Sequence, residues 1–204
     1  SRSNLVTYSN DFSNSIWGKS NVSVSYASNL INPEGLMGTY VVDSIGSNPR
    51  LRRYSFPIGT HTYSVFLKAK DSSYFKIRIY DGSTNFDVDF DLINGTFTEL
   101  NTAIGGMDYY GNGWYRCSLT CTLAGVGNLQ KYPSTTDSGG VYMYGAMLEQ
   151  GSYATSYIPT QGSSVTRVAE SCNNAGNDQV INSTEGVLYC EIAALADDNT
   201  KRYI

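Results

Sequence analysis

Alternation of apolar and polar residues is the main pattern along this chain. Between Tyr74 and Tyr80, the side chains of Phe75, Ile77 and Ile79 point to one face of an extended segment. Successive side chains of a strand point to opposite faces of its sheet, so this period of two predicts a half-buried β-strand. Comparable patterns predict further strands near residues 22–26, 39–44, 62–70, 86–92, 96–100, 115–123 and 141–148.

Turn signals separate these segments. Asp81-Gly82, Asn94-Gly95 and Gly111-Asn-Gly113 are typical of tight turns. Many short strands with regular turns predict an all-β protein with an antiparallel, jelly-roll-like β-sandwich. We predict this sandwich over residues 1–168, a small and polar linker over 169–177, and the opening of a second, incomplete β domain over 178–204. A short helix is the alternative for residues 188–196, since Ala, Leu and Glu favour helix.

Composition excludes two classes of partner. Only 16% of the residues are charged, the net charge is −4, and 17 residues are Tyr. Nucleic-acid binding needs a basic surface that neutralises phosphates, so no nucleic-acid partner is expected. No run approaches the roughly 18 apolar residues of a membrane span, so no membrane insertion is expected.

The cysteines indicate the redox environment. Cys117 and Cys121 fall on one face of a predicted strand, about 13 Å apart, which is too far for a disulfide. We predict that both are reduced and buried as small hydrophobic residues. Cys172 and Cys190 lie outside this strand, and the spacing leaves their pairing open. Largely free thiols fit assembly in a reducing cytosol.

Catalytic motifs are absent from the sequence. His61, the single histidine, follows Gly59-Thr60 before a strand and is predicted to be a surface turn residue. There is no nucleophile elbow, phosphate-binding loop or His/Cys metal spacing. We therefore predict no catalytic residue and a chain that is not an enzyme by itself.

Three segments carry a family resemblance. Asn4–Phe12 with Trp17, Asn112–Arg116, and Gly145–Thr160 resemble segments of the β-sandwich modules of phage tail-fibre and head-spike proteins. The resemblance implies a carbohydrate-binding-like jelly roll, a virion location after assembly in the host cytoplasm, and contact with host surface glycan and other virion proteins. It also implies a concanavalin-like second domain and a homo-oligomer, for which a trimer is the first expectation. It transfers no sugar-binding residue, because the matched motifs look structural.

The predicted hairpin of residues 74–92 is the first candidate site. Pairing Tyr80 with Asp87 sets Arg78 opposite Asp89 and puts these residues and Tyr74 on one face. One interpretation is a solvated ion-pair face. The other is a sugar-binding face on which Tyr74 and Tyr80 stack on sugar C–H groups, while Arg78, Asp87 and Asp89 bind hydroxyls. A divalent metal on the aspartates is a third, weaker alternative.

Two smaller sites complete the set. Tyr142 and Tyr144 share a strand face and are candidates for a groove or an inter-subunit contact. Asp11 and Glu149 fall near the first and last strands, where jelly-roll carbohydrate modules hold calcium, so the resemblance makes them candidate calcium ligands. Hydrogen bonding in turns is the alternative for both, and no other cofactor is expected. The two tryptophans, Trp17 and Trp114, are predicted to be packing anchors.

Three functions follow from these observations. The first is a non-catalytic virion module that contacts host surface glycan. The second is a structural spacer or a capsid- or tail-anchoring module that only oligomerises. The third is the non-catalytic part of a depolymerase. An exposed aromatic groove would favour the first, and an apolar stripe between chains would favour the second.

Overall fold

The computed structural model describes residues 1–133 and 138–168. These residues form β-strands and turns, in agreement with the all-β prediction. The strands are β1 (Arg2–Asn4), β2 (Gly18–Ser20), β3 (Val22–Ile31), β4 (Met37–Ser44), β5 (Arg50–Phe56), β6 (Gly59–Ala69), β7 (Tyr74–Tyr80), β8 (Asn85–Asp91), β9 (Thr96–Leu100), β10 (Ile104–Tyr109), β11 (Trp114–Leu123), β12 (Gly127–Tyr132), β13 (Gly140–Gln150) and β14 (Val165–Arg167). In the same residues, no helix is long and apolar enough to cross a membrane.

Two six-stranded antiparallel sheets form the sandwich. The first has the order β10-β11-β6-β13-β4-β3, the second has the order β2-β5-β12-β7-β8-β9, and β1 pairs separately with β14. Between β4 and β6, and again between β11 and β13, the chain crosses from the first sheet to the second and back. The predicted jelly-roll-like sandwich is therefore confirmed as an antiparallel β-sandwich.

The inward faces of the two sheets make one apolar core. Alternate residues of β7 are fully buried, as its period of two predicts. Cys117 and Cys121 are buried and free, so the prediction of two buried core thiols is confirmed. Trp17 and Trp114 are each 1% exposed, which confirms both as packing residues.

Some strands were not predicted from the pattern. β5 contains three arginines, and β12 has the buried Lys131 at an inward position. Neither segment therefore shows the apolar alternation by which a strand is recognised. β12 nevertheless alternates strictly between buried and half-buried positions. The core therefore accepts one lysine at a position where alternation alone expects an apolar residue.

The prediction of His61 as a surface turn residue is wrong. β6 begins at Gly59, and His61 lies between Cys121 of β11 and Gln150 of β13. Its side chain is 1% exposed, and its Nδ1 lies 3.0 Å from the carbonyl oxygen of Gly59. Neighbouring strands on both sides bury a residue that the preceding glycine suggested would be in a turn.

The segments behind the family resemblance are structural. Asn4 is fully buried, and its Nδ2 donates to the carbonyl oxygens of Ala146 (3.0 Å) and Ile158 (2.7 Å). Its Oδ1 accepts from the backbone N–H groups of Val6 and Leu148, both at 3.1 Å. One side chain thus joins the start of the chain to the segment after β13. The predicted linker, the second domain and any pairing of Cys172 with Cys190 lie outside the described residues.

Candidate functional site

The β7–β8 hairpin gives the second sheet a polar outer face. β7 directs Tyr74, Lys76, Arg78 and Tyr80 to this face, because the residues between them are buried in the core. Strand β8 pairs with β7 along its whole length and adds its aspartates. All five residues predicted for the first site therefore share one face, as expected.

The predicted register of this hairpin is wrong by two residues. Arg78 lies opposite Asp87 and Lys76 opposite Asp89, whereas the prediction set Tyr80 opposite Asp87 and Arg78 opposite Asp89. A shift of one residue would have moved every side chain to the other face, but a shift of two leaves the faces unchanged. The site therefore keeps its members and changes its partners.

The connecting turn explains the shift. The prediction left Asp81–Phe86 as the loop, but the hairpin closes over Asp81–Thr84, and the Asp81 N–H donates to the Thr84 carbonyl at 3.2 Å. The Oδ1 atom of Asp81 accepts the backbone N–H groups of Thr84 at 2.8 Å and Ser83 at 3.0 Å. These hydrogen bonds, led by that from Thr84, lower the pKa of Asp81 to about 2. An aspartate that holds the turn shortens the loop and brings Arg78 to Asp87.

Arg78 and Asp87 form the central ion pair. Arg78 Nε and Nη2 donate to the two carboxylate oxygens of Asp87 at 2.7 and 2.6 Å. Only 5% of the Asp87 side chain is exposed, and Lys76 Nζ lies 3.9 Å from it and 3.2 Å from Asp89. Hydrogen bonding to Asp87 raises the pKa of Arg78, so the guanidinium stays charged.

Three tyrosines surround this pair. Tyr74 is half-buried beside Asp89, and burial, followed by the charge of Asp89, raises the pKa of its hydroxyl. The Tyr80 hydroxyl donates to a backbone carbonyl in the turn at 2.5 Å. The Tyr132 ring lies 5.6 Å from the Arg78 Cζ atom. The face thus offers flat rings next to charged hydrogen-bonding groups.

Strands β12 and β5 extend the face, although neither was predicted. Gln130 pairs with Arg78 on one side and with Arg52 on the other, and Tyr132 pairs with Lys76. One row across the sheet therefore runs Arg52, Gln130, Arg78, Asp87. A second row contains Tyr132, Lys76 and Asp89, with Arg50 two residues before Arg52 on the same face of β5. We call these eight residues, together with Tyr74 and Tyr80, the polar sheet face.

Sequence signals for the added strands exist but are weak. Arg50 and Arg52 are separated by the buried Leu51, and Gln130 and Tyr132 are separated by the buried Lys131. Alternation was present in both segments. It was hidden because each has only one or two apolar residues at inward positions.

Tyr142 and Tyr144 lie on the other sheet, away from the polar sheet face. Tyr144 is 8% exposed, and its hydroxyl donates to the carboxylate of Glu34. Its ring lies 6.3 Å from that of Phe66 and 6.1 Å from that of Tyr157. Tyr144 therefore belongs to a packed aromatic cluster and does not line the predicted groove. Tyr142 is half-buried, and the inter-subunit contact stays a prediction.

Asp11 and Glu149, the candidate calcium ligands, each accept hydrogen bonds from donors of their own. The Asp11 carboxylate accepts hydrogen bonds from Ser13, Asn14 and Tyr40. Glu149 is fully buried. Its carboxylate accepts hydrogen bonds from the backbone N–H of Thr155 at 2.8 Å and from the hydroxyl of Thr155 at 2.7 Å. Among the described residues no three His, Cys, Asp or Glu side chains are grouped for a metal. For Asp11 the alternative of turn hydrogen bonds describes the geometry.

Comparison with known proteins gives a distant structural similarity. No family model matches the chain, and no curated protein matches it. Among solved structures it is similar to the enzymatically active domain of tailspike protein 4 of bacteriophage CBA120, with 13% identity and a TM-score of 0.44. The similarity covers 71% of this chain and 21% of that chain, so the chain spans about a fifth of the structure that it matches.

One prediction is corrected by this comparison. The lack of catalytic motifs predicted a chain that is not an enzyme by itself, whereas the similar solved structure is an enzymatically active domain. The prediction is therefore contradicted and is withdrawn.

Proposed function

We propose that this chain is a virion module of a phage tail fibre or tailspike and that it contacts host surface glycan through the polar sheet face. The observation that carries the proposal is the set of half-buried tyrosines Tyr74, Tyr80 and Tyr132 around the Arg78–Asp87 pair. Sugars present apolar C–H faces and many hydroxyls, so a glycan site needs flat rings beside charged donors and acceptors.

The ion pairs of this face support a binding role. Arg78 is held by both oxygens of Asp87, so its side chain is fixed before a ligand arrives. Fixed side chains reduce the entropy lost on binding. Lys76 and Asp89 remain partly exposed, with 20% and 28% of their side chains accessible. Their pairing is weak in water, so hydroxyl groups of a ligand can compete for it.

Glycan retention tests the proposal. The full chain is passed over immobilised polysaccharides from bacterial surfaces, and binding is compared with that of the double variant Tyr74→Ala/Tyr80→Ala. We expect at least a tenfold loss of affinity, since each stacked ring contributes about 1 kcal/mol. The same incubation is monitored for released reducing ends, which separates retention from cleavage.

A matched control makes the result specific. Tyr26 is 61% exposed on the first sheet, away from the polar sheet face, so Tyr26→Ala removes an exposed ring of the same kind. It should leave retention unchanged, and circular dichroism should show that all variants keep their strands. Equal retention by the double variant and the wild-type chain would exclude this face as the glycan site.

A second candidate function is oligomerisation without glycan contact. The β3–β4 hairpin exposes Ile31 (49%), Leu36 (62%) and Met37 (59%) close together at one end of the first sheet. Exposed apolar groups in contact with one another are typical of interfaces. Sedimentation of the full chain should show a homo-oligomer, with a trimer as the first expectation. In the variant Leu36→Ser/Met37→Ser, the oligomer should dissociate if this hairpin is its interface.

A further inference from the structure

Charge is distributed unevenly over the polar sheet face. In its two rows, Arg50, Arg52, Lys76 and Arg78 supply four cations, while Asp87 and Asp89 supply two carboxylates. Both carboxylates lie at the β8 side, where they pair with the cations of β7. The β5 side therefore carries an excess of two positive charges, although the whole chain has a net charge of −4.

Arg50 and Arg52 of β5 have no carboxylate partner among the described residues. Arg52 donates one Nη2 hydrogen bond to the neutral hydroxyl of Ser20, and no ion pair involves Arg50 or Arg52 in that part of the chain. Both side chains are half-buried at the surface of this sheet, and the Nε atoms are shielded from solvent and from any acceptor among the described residues. A guanidinium that no carboxylate neutralises favours a charge-assisted hydrogen bond from its terminal nitrogens to an incoming anion.

The space between the cations suits one sugar unit. Neighbouring strands lie about 4.8 Å apart, so Arg52 on β5 and Arg78 on β7 are separated by about 10 Å across β12. Between them β12 presents Gln130 and the ring of Tyr132, both uncharged. The Tyr132 hydroxyl donates to Gln130 Oε1 at 2.8 Å, which fixes that amide and turns its NH₂ group toward other acceptors. The aromatic ring of Tyr132 and the amide donor of Gln130 thus lie between the cations of β5 and those of β7.

We propose that the polar sheet face binds an acidic glycan and that Arg50 and Arg52 hold a carboxylate of the sugar seated over Gln130 and Tyr132. This proposal rests on the proposed function and names the class of its ligand. A guanidinium presents parallel N–H groups that match the two oxygens of a carboxylate. Arg78 is already engaged by Asp87 in that way, so the arginines of β5 are the ones left for the ligand.

Affinity electrophoresis of the full chain tests this assignment. The gels contain hyaluronan, polygalacturonate or polysialate, and each polymer is compared with its carboxyl-reduced form. Dextran is the neutral control, and dextran sulfate is the sulfated control. We expect at least one carboxylate polymer to retard the protein. Carboxyl reduction of that polymer should make the dissociation constant at least tenfold larger. This arm uses the wild-type protein alone, so it holds even if a variant fails to fold.

Variants then locate the carboxylate. Arg50→Gln/Arg52→Gln should weaken binding to the carboxylate polymer at least tenfold. Arg50→Lys/Arg52→Lys should restore only part of the affinity, because a lysine ammonium lacks the parallel N–H groups of a guanidinium. The control Lys68→Gln/Arg167→Gln removes the same two charges away from this face and should bind as the wild type does.

The possible outcomes separate this inference from the proposed function. Retention of neutral polymers with no effect of carboxyl reduction would overturn the acidic ligand and leave the glycan-binding function standing. Equal losses in the arginine variant and in the control, or equal retention by dextran sulfate, would show unspecific attraction and would also overturn it. Failure to bind any polymer, neutral or acidic, would overturn both.

Discussion

Replacing Lys131 by methionine should stabilise this protein. Lys131 is fully buried on the inward face of β12, and its Nζ has no hydrogen-bond partner among the described residues. The amine lies 3.6 Å from the centroid of the Trp17 ring, 5.0 Å from that of Phe12 and 5.5 Å from that of Tyr63. Methionine has a similar length and no polar head, so Lys131→Met keeps the packing and removes the amine.

The magnitude follows from the cost of burying the amine. Burial, and secondly the charge of Arg53, lower the pKa of Lys131 well below its ordinary value, so the folded state favours the neutral amine. A buried polar group without a hydrogen-bond partner costs about 1–3 kcal/mol, and removing the proton from a lysine at pH 7 adds to that cost. We therefore expect Lys131→Met to raise the free energy of unfolding by about 2–3 kcal/mol at pH 7.

The gain should depend on pH in one direction. Stability rises with pH wherever the unfolded chain binds more protons than the folded chain. Because the pKa of Lys131 is lower in the folded state, the wild-type chain gains stability as pH rises toward about 10 and the methionine variant does not. The advantage of the variant should therefore shrink between pH 7 and pH 9.5, by as much as about 1.4 kcal/mol per unit. Tyrosines and cysteines that titrate in this range are common to both proteins and cancel in the difference.

Urea unfolding followed by far-UV circular dichroism measures both effects, because fluorescence of Trp17 would be altered by the substitution itself. Lys68→Met is the control: the Lys68 amine donates to the carbonyl of Asn112 at 2.6 Å at a surface position, so no gain is expected. A loss of more than about 1 kcal/mol in Lys131→Met would refute the reasoning. A gain that stays constant with pH would show that Lys131 is charged in the folded protein.

Two further predictions concern the core. Asn4→Ala leaves four buried backbone groups without their partner, so it should lower the free energy of unfolding by about 4 kcal/mol or more in the same urea assay; a change under 1 kcal/mol would contradict the assigned hydrogen bonds. Burial raises the pKa of Cys117 and raises that of Cys121 to about 12, so a thiol reagent at pH 8 should modify both only in denaturant; rapid modification of the native chain would show that the strand face is misassigned.

The central strands could be predicted because their alternation is strong. Phe75, Ile77 and Ile79 mark β7, and the polar residues between them had to lie on its other face. The candidate tyrosines and charges of this hairpin followed from that alternation. Membership of one face depends only on the parity of positions along a strand, which the sequence states directly.

Register and neighbours could not be predicted in the same way. The turn held by the Asp81 carboxylate moved Arg78 from Asp89 to Asp87, and side-chain hydrogen bonds in a turn leave no trace in the period of the strand. The prediction of a groove at Tyr144 failed because the turn between β3 and β4 brings Glu34 to its hydroxyl, and Tyr157, from the segment after β13, packs near its ring; both residues are distant in sequence.

The sequence by itself determined the fold class, the buried cysteines and the polar face of one hairpin, because each depends on local alternation. Only the tertiary structure decided that β5 and β12 lie next to β7, and it thereby set Arg50, Arg52, Gln130 and Tyr132 beside the predicted residues. It also decided that three aromatic rings enclose Lys131. Strand order in a sandwich is fixed by packing between segments far apart in the chain, and a period of two carries no information about which strands become neighbours.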